Sequence, residues 1–295
     1  VRVALAQIAP RLGRLDENVA QVLAKAALAR KRGAQLALFP ELALSGYFLK
    51  DLVPEVALSA RHPALKQLAA ASKGMDLAVG GVWEDARHCF SNALLLFRQG
   101  RLAAVHAKAY LPTYGMFDEA RYFAPGDGPT LAGTALGTAG LLVCEDAWHA
   151  VMPLAAALGG ASVLLVASSS PARGLLKGRA PGGLAIARDW QALLSAWALS
   201  LGVSVLFCNR AGFEDGVGFW GGSMALGPDG SLLAQARFLE PDLLLADLDA
   251  RGGRRARMAS PLLRDERLDM DVRLLAGLAG FQLAPQARPK KKGRA

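Results

Sequence analysis

The run Leu141-Leu142-Val143-Cys144-Glu145-Asp146-Ala147-Trp148 carries an apolar, strand-like stretch into a thiol, with two carboxylates directly after it. Two further apolar stretches end in comparable chemistry. Leu36-Ala37-Leu38-Phe39-Pro40-Glu41 ends in a carboxylate, and Ala103-Ala104-Val105-His106-Ala107-Lys108 ends in an ammonium. Brought together, the three strand ends make a Glu/Lys/Cys site suited to attack on a carbon–nitrogen bond. An amide carbon is a poor electrophile and needs a strong nucleophile. A thiolate is one, but a free cysteine is mostly protonated at neutral pH. A neighbouring base must take the proton, and Glu41 is the candidate. Lys108, with a backbone N–H beside Cys144, would stabilise the oxyanion of the tetrahedral intermediate, an effect worth roughly a few kcal/mol per donor. A Cys–His pair is the usual alternative. The nearest histidine after the thiol, His149, falls on the expected following helix and would point away from it, and the flanks of Cys144 lack the glycines of a nucleophile elbow.

The elements that must position these residues are legible as short apolar runs and helical repeats. Strands are expected at 3–8, 35–39, 76–83, 141–144, 162–167, 203–208 and 243–248, and helices at 16–31, 64–71, 151–158 and 184–201. Hairpins are expected at 89–97 with 102–106 and at 223–226 with 231–236, around the turns Gln99-Gly100 and Pro228-Asp229-Gly230. Strands alternate with helices, but the hairpins argue against a purely parallel sheet. Two mixed sheets packed face to face with helices outside fit better, an α/β class. No Pro/Ser-rich linker divides residues 1–250, so one domain is expected there. Residues 251–287 read as an extension packing on the domain or a dimer partner, and residues 288–295 as a basic, disordered tail.

Charge follows the same division. The net charge is +9; residues 251–295 hold twelve Lys/Arg against four Asp/Glu, whereas residues 1–250 hold 22 against 21. The basic tail has no interleaved aromatic residue on which bases would stack, which argues against nucleic acid as a partner. Cys89, Cys144 and Cys208 form no CxxC and no even framework, which points to a reducing compartment. His62, His88, His106 and His149 show no paired ligand spacing, so no metal and no cofactor is expected. The uncharged runs at 150–172 and 190–209 are long enough to span a bilayer, but Pro153, Gly159-Gly160 and Gly202 break them into helix–strand units. Residues 1–10 lack the layout of a signal peptide. These features predict a soluble, cytoplasmic protein with no membrane contact.

The sequence resembles the nitrilase superfamily of carbon–nitrogen hydrolases, and within it the glutamine-amidase domain of glutamine-dependent NAD synthetases. The likeness is carried by Phe39-Pro40-Glu41-Leu42-Ala43-Leu44-Ser45-Gly46-Tyr47, by the stretch from Lys108-Ala109-Tyr110-Leu111-Pro112 to Arg121-Tyr122-Phe123, and by Cys144-Glu145-Asp146-Ala147-Trp148. The stretch from Asn209-Arg210-Ala211-Gly212 to Gly221-Gly222-Ser223 adds to it. The resemblance implies an α-β-β-α sandwich that forms a homodimer or larger homo-oligomer. It implies Glu41 as general base, Lys108 as oxyanion stabiliser, Cys144 as nucleophile and Glu119 as the residue holding Lys108. It also implies that Tyr47, Tyr114, Glu145, Trp148 and Ser170 hold a small amide substrate, with Glu145 suited to an α-ammonium. Where the family places an arginine for the substrate carboxylate, this chain has Leu176; Arg173, Lys177 and Arg179 are the nearby cations. No Ser-Gly-Gly-x-Asp-Ser pyrophosphate loop is present, so ammonia would serve a separate synthetase or simply be released. A stand-alone amidase or nitrilase on another small substrate stays open, as does a non-catalytic scaffold. Arg210, Glu214 and Asp215 read as loop or interface charges, and Cys208 as core.

Overall fold

A computed structural model of the chain describes residues 1–174 and 184–280. The first half runs β1 (Arg2–Gln7), α1 (Leu15–Lys31), β2 (Leu36–Leu38), α2 (Pro63–Ala71), β3 (Asp76–Glu84), β4 (Phe90–Arg98) and β5 (Arg101–Ala107). Next come β6 (Thr130–Thr134), β7 (Gly137–Val143), α3 (Val151–Leu158), β8 (Val163–Ser168), α4 (Ala185–Leu201), β9 (Ser204–Asn209), β10 (Ala211–Glu214) and β11 (Val217–Trp220). The remainder is β12 (Met224–Leu226), β13 (Leu232–Gln235), β14 (Asp242–Asp247), α5 (Gly252–Ala259) and α6 (Leu268–Leu278).

Twelve of these strands form two six-stranded mixed sheets, ordered β14-β1-β2-β3-β4-β5 and β13-β12-β9-β8-β7-β6, and β10 and β11 pair as a separate hairpin. In each sheet three neighbouring strands run parallel, β1-β2-β3 in one and β7-β8-β9 in the other, with antiparallel strands outside. Alternation along each strand explains the layering. Val3 and Leu5 of β1 join Leu141, Val143, Leu165 and Leu206 between the sheets. Ala4 and Ala6 face the other way, onto Val19, Val22 and Ala26 of α1 and Leu65 and Leu68 of α2. In the second sheet, Leu164, Val166, Val205 and Phe207 meet Met152 and Ala156 of α3 and Trp190, Leu194 and Ala198 of α4. The expected α-β-β-α sandwich is therefore the fold. Strands buried on both faces read as unbroken apolar runs, which is why the central ones were visible in the sequence.

Elements that escaped the sequence reading lie at the edges. β6 holds a glycine and two threonines, and β10 and β11 flank the turn Asp215-Gly216, so both lack a continuous apolar run. In the extension, α5 touches the domain through Arg257, whose Nη2 donates to the Ala161 carbonyl at 2.9 Å. α6 buries none of its residues. The expected tail at 288–295 lies outside the described residues. Within them, no helix is long and apolar enough to cross a membrane, and the two uncharged runs fold as α3–β8 and α4–β9.

Candidate active site

The two parallel trios point their C-terminal ends to one place, the position at which open α/β sheets present ligand sites. Glu41 follows β2, Ser169 follows β8, and Cys144 follows β7. Lys108 follows the antiparallel β5, which reaches the same end of the sandwich. The Glu41 carboxylate is buried among three donors. Its Oε1 accepts from Lys108 Nζ at 2.8 Å and from Asn92 Nδ2 at 2.8 Å, and its Oε2 accepts from the Ser169 N–H at 2.7 Å. The Ser169 hydroxyl donates back to the Glu41 carbonyl at 2.9 Å, which fixes the backbone as well. A carboxylate offers about four lone-pair positions, so among the described residues one stays open on Oε2.

Lys108 is fully buried, and its Nζ also donates to Glu119 Oε1 at 2.7 Å. Two of its three N–H groups are thus taken by carboxylates, and among the described residues the third is unengaged. Burial opposes the charge on Lys108, but Glu119 and Glu41 together outweigh it and keep the ammonium protonated well above its ordinary range. Burial also lifts the Glu119 carboxyl above its ordinary value; Lys108 opposes the rise and Glu41 reinforces it. The Tyr47 hydroxyl donates to the same Glu119 oxygen that holds Lys108. Glu119 is thus bonded to both the lysine and Tyr47.

Cys144 sits at the turn from β7 into a 3₁₀ segment, Cys144–Trp148, with a φ of 44°. Leu42, beside Glu41, has a φ of 48°. Both are non-glycine residues in the left-handed region, a strain that persists only where the surroundings impose it. The missing glycines of a nucleophile elbow thus hid a strained turn that the chain makes without them. The Ser168 hydroxyl donates to Cys144 Sγ at 3.4 Å. Burial pushes the thiol well above its usual range; the charge of Glu41 adds to this, and Lys108 opposes it. The resting thiol is therefore neutral at physiological pH and needs a base. His149 is not that base: its ring stacks on Tyr110 at 3.5 Å and its Nε2 faces Glu145.

A cavity of about 170 Å³ opens onto the thiol, lined by Tyr114, Phe117, Glu145, Trp148, Ser170 and Arg173 among others. The Tyr114 hydroxyl donates to Glu145 Oε2 at 3.0 Å, and burial with the adjoining carboxylate pushes the phenol up to about 12. Trp148 lies edge-on to Trp190, whose Nε1 donates to Ser170 Oγ at 3.0 Å. Arg173 lies over the Phe117 ring at 5.0 Å and is the one Lys or Arg lining the cavity among the described residues. Tyr47 is not among the cavity-lining residues; its hydroxyl is committed to Glu119. Lys177, Arg179 and Leu176 lie outside the described residues.

Sequence reasoning missed Asn92, Ser168 and Ser169. The one available signal was polarity beside apolar runs: Asn92 opens the run Ala93-Leu94-Leu95-Leu96-Phe97, Ser168 ends β8 and Ser169 follows it. Arg210 and Glu214 are also corrected. They are not loop charges but a buried pair, with Nη1 to Oε2 at 2.8 Å. Glu214 Oε1 accepts the N–H groups of Tyr47 at 2.7 Å and Phe48 at 2.8 Å, which anchors the segment that holds Glu119.

Two predictions follow from burial. A Cβ on Gly80 of β3 would lie 2.2 Å from the Pro40 carbonyl oxygen and 2.7 Å from Glu41 Cα. Gly80→Ala should displace Glu41, costing about 1–3 kcal/mol of stability and about tenfold or more in turnover, read by urea unfolding and steady-state kinetics. The second concerns Tyr47, Cys144 and Cys208, whose acid groups are all raised in the fold chiefly by burial. Ordinary values are 10.0 for the phenol and 9.0 for the thiols, so above these the unfolded chain loses protons that the folded chain keeps. Their contribution is complete below the unfolded values and is lost as pH rises. Urea unfolding should show stability falling from about pH 9 upward; a rise over that range would contradict the burial of these groups.

The chain is similar in sequence and fold to known proteins. The chain is 31% identical over 267 residues to a glutamine-dependent NAD(+) synthetase of Thermotoga maritima, covering 90% of this chain and 45% of that one. It is 35% identical to the corresponding protein of Rhodobacter capsulatus, covering 84% of this chain and 43% of that one. The chain thus spans less than half the length of these curated relatives. Among solved structures, an amidase of the nitrilase superfamily from Nesterenkonia AN1 superposes with a TM-score of 0.75 at 27% identity, covering 93% of this chain and 97% of that one. Another structure of that amidase shows the acetamide moiety of fluoroacetamide added covalently at its active-site cysteine (TM-score 0.76, 26% identity, 92% and 96% covered). The match to the carbon–nitrogen hydrolase family runs over residues 2–258, which takes in every residue of this site, and the chain belongs to that family of enzymes.

Proposed function

We propose that the protein is a thiol amidohydrolase that converts a small carboxamide to carboxylate and ammonia through a thioester at Cys144, with the side-chain amide of glutamine as first candidate. The observation that carries this reading is that, among the described residues, one lone pair on Glu41 Oε2 and one N–H on Lys108 are unengaged beside a buried thiol that feels the charge of both groups. Glu41 takes the Cys144 proton, and the thiolate attacks the amide carbon. The unengaged Lys108 N–H and the Glu145 backbone N–H bind the oxyanion. Glu41 returns its proton to the leaving ammonia, then activates the water that hydrolyses the thioester. The addition reported at the active-site cysteine of the Nesterenkonia amidase supports the same role for Cys144.

Two features support glutamine. The cavity pairs an anion, Glu145, with a cation, Arg173, and so suits the α-ammonium and α-carboxylate of an amino acid. The curated relatives are glutamine-dependent synthetases, so the released ammonia would feed an ammonia-using synthetase. A stand-alone amidase on another small amide is the second reading, favoured by the apolar lining from Trp148, Trp190 and Ile186. Arg173→Met separates them. On the glutamine reading it raises KM for L-glutamine by about ten- to a hundredfold and leaves amides without an α-carboxylate within about threefold. An unchanged KM for L-glutamine, or turnover confined to other amides, would favour the second reading.

A further inference from the structure

The most heavily engaged side chain near the site belongs to neither the nucleophile nor its base. Asp146 follows Cys144 by two positions and is fully buried. Its Oδ1 accepts the N–H groups of Ala109 at 2.9 Å and Tyr110 at 3.0 Å, the two residues after Lys108. Its Oδ2 accepts the N–H of Val143 at 2.9 Å, the residue before Cys144, and meets His106 Nε2 at 2.9 Å. His106 is also fully buried, two residues before Lys108, and its Nδ1 faces Thr130 Oγ1 at 3.3 Å. The lone pairs of one carboxylate are thus divided between the end of β5 in one sheet and the end of β7 in the other. An ionised carboxylate only accepts, so His106 presents its Nε2–H to Oδ2, while its Nδ1 lies against the Thr130 hydroxyl.

We propose that Asp146, oriented by His106, is a positioning residue that joins the two sheets at the site and sets Lys108 against Cys144. The inference rests on the assignment of those two groups as reacting groups. The strained turn gives it a physical reason. Cys144 holds a φ of 44° without the freedom of a glycine, and something must keep it there. The bond from the Val143 N–H to Asp146 Oδ2 spans that residue and closes the turn around it. The bonds from Ala109 and Tyr110 bring the lysine strand to the same carboxylate. Loosening the carboxylate would let the turn relax and the thiol move from Glu41 and Lys108, and a displacement of about 1 Å in such a site costs on the order of a hundredfold in rate.

His106→Gln and His106→Asn form the test. Both amides are polar and smaller than the ring. Glutamine reaches the position of Nε2 and can still donate to Asp146, whereas asparagine reaches only that of Nδ1. The expected result is a kcat within about threefold of wild type for His106→Gln and on the order of a hundredfold lower for His106→Asn, with KM within about threefold in both. Asp146→Asn, which offers one carbonyl oxygen where four donors converge, should behave like His106→Asn. Alkylation of Cys144 by iodoacetamide, followed by the mass of its peptide, should slow about tenfold in His106→Asn. A purely structural clasp would lower the thermal midpoint of all three variants and leave kcat of the folded enzyme unchanged, which would overturn the proposal. An equal loss of kcat in His106→Gln and His106→Asn would overturn it too. Wild-type protein silent on every amide would refute the proposed reaction instead; the alkylation rates then decide the positioning role, and equal rates in wild type and His106→Asn would end it.

Discussion

Cys144→Ser should lose on the order of 10⁴-fold or more in kcat on any amide that the wild-type protein hydrolyses, with little change in stability. The reason lies in the division of labour at the site. Among the described residues Glu41 is held by three donors and one acceptor position on Oε2 stays open, which on the proposed route takes the proton of the nucleophile. Burial and the charge of Glu41 already keep the Cys144 thiol neutral at rest. A serine hydroxyl is intrinsically a far weaker acid than a thiol, so the same carboxylate would have to remove a much less acidic proton. The oxygen nucleophile formed would also sit differently, because the position accepts a hydrogen bond from Ser168 suited to the longer reach of sulfur. Steady-state ammonia release checks the expectation. Near-normal turnover in Cys144→Ser would refute the thioester route.

Lys108→Met should lower kcat by about 10²- to 10³-fold and destabilise the fold by about 3–5 kcal/mol at neutral pH. The two losses have separate origins. The catalytic one is the third N–H, the donor available to the oxyanion. The structural one is the buried pair Glu41 and Glu119, which share this lysine and no other described cation at hydrogen-bond distance. Without it, two carboxylates in one dry site cannot both stay charged, and one must take up a proton. The sign of the pH effect follows. The destabilisation of Lys108→Met relative to wild type should shrink as pH falls, because protonation removes the uncompensated charge. Urea unfolding at neutral and acid pH measures this, and a penalty that grew on acidification would contradict the arrangement.

The residues of the proposed reaction were legible in the sequence because each ends an apolar run. Glu41 and Cys144 follow buried strands and Lys108 follows the half-buried β5, each at the end of its strand. The sandwich was legible for the same reason: runs such as residues 162–167 and 203–208 are apolar on both faces. The residues that hold the site were not. Asn92 reaches Glu41 across 51 positions and Ser169 across 128. Asp146 reaches His106 across 40 positions. No local spacing announces such contacts, and a polar residue in a buried strand reads equally as a misplaced surface residue. Tyr47 illustrates the limit of resemblance. Its place beside the site was anticipated, but its hydroxyl serves Glu119 and the cavity over the thiol is lined by others. Arg210 and Glu214 were misread because a glycine-rich, charged stretch resembles a loop, whereas its hairpin buries the pair.

The most direct measurement is the mass of the Cys144 peptide after acid quench during turnover of L-glutamine and a panel of small amides. The account predicts that the peptide gains an acyl group, the substrate less ammonia, in step with ammonia release, and that Cys144→Ala shows neither. Ammonia release that persists in Cys144→Ala, or an acyl group found on another residue, would contradict it.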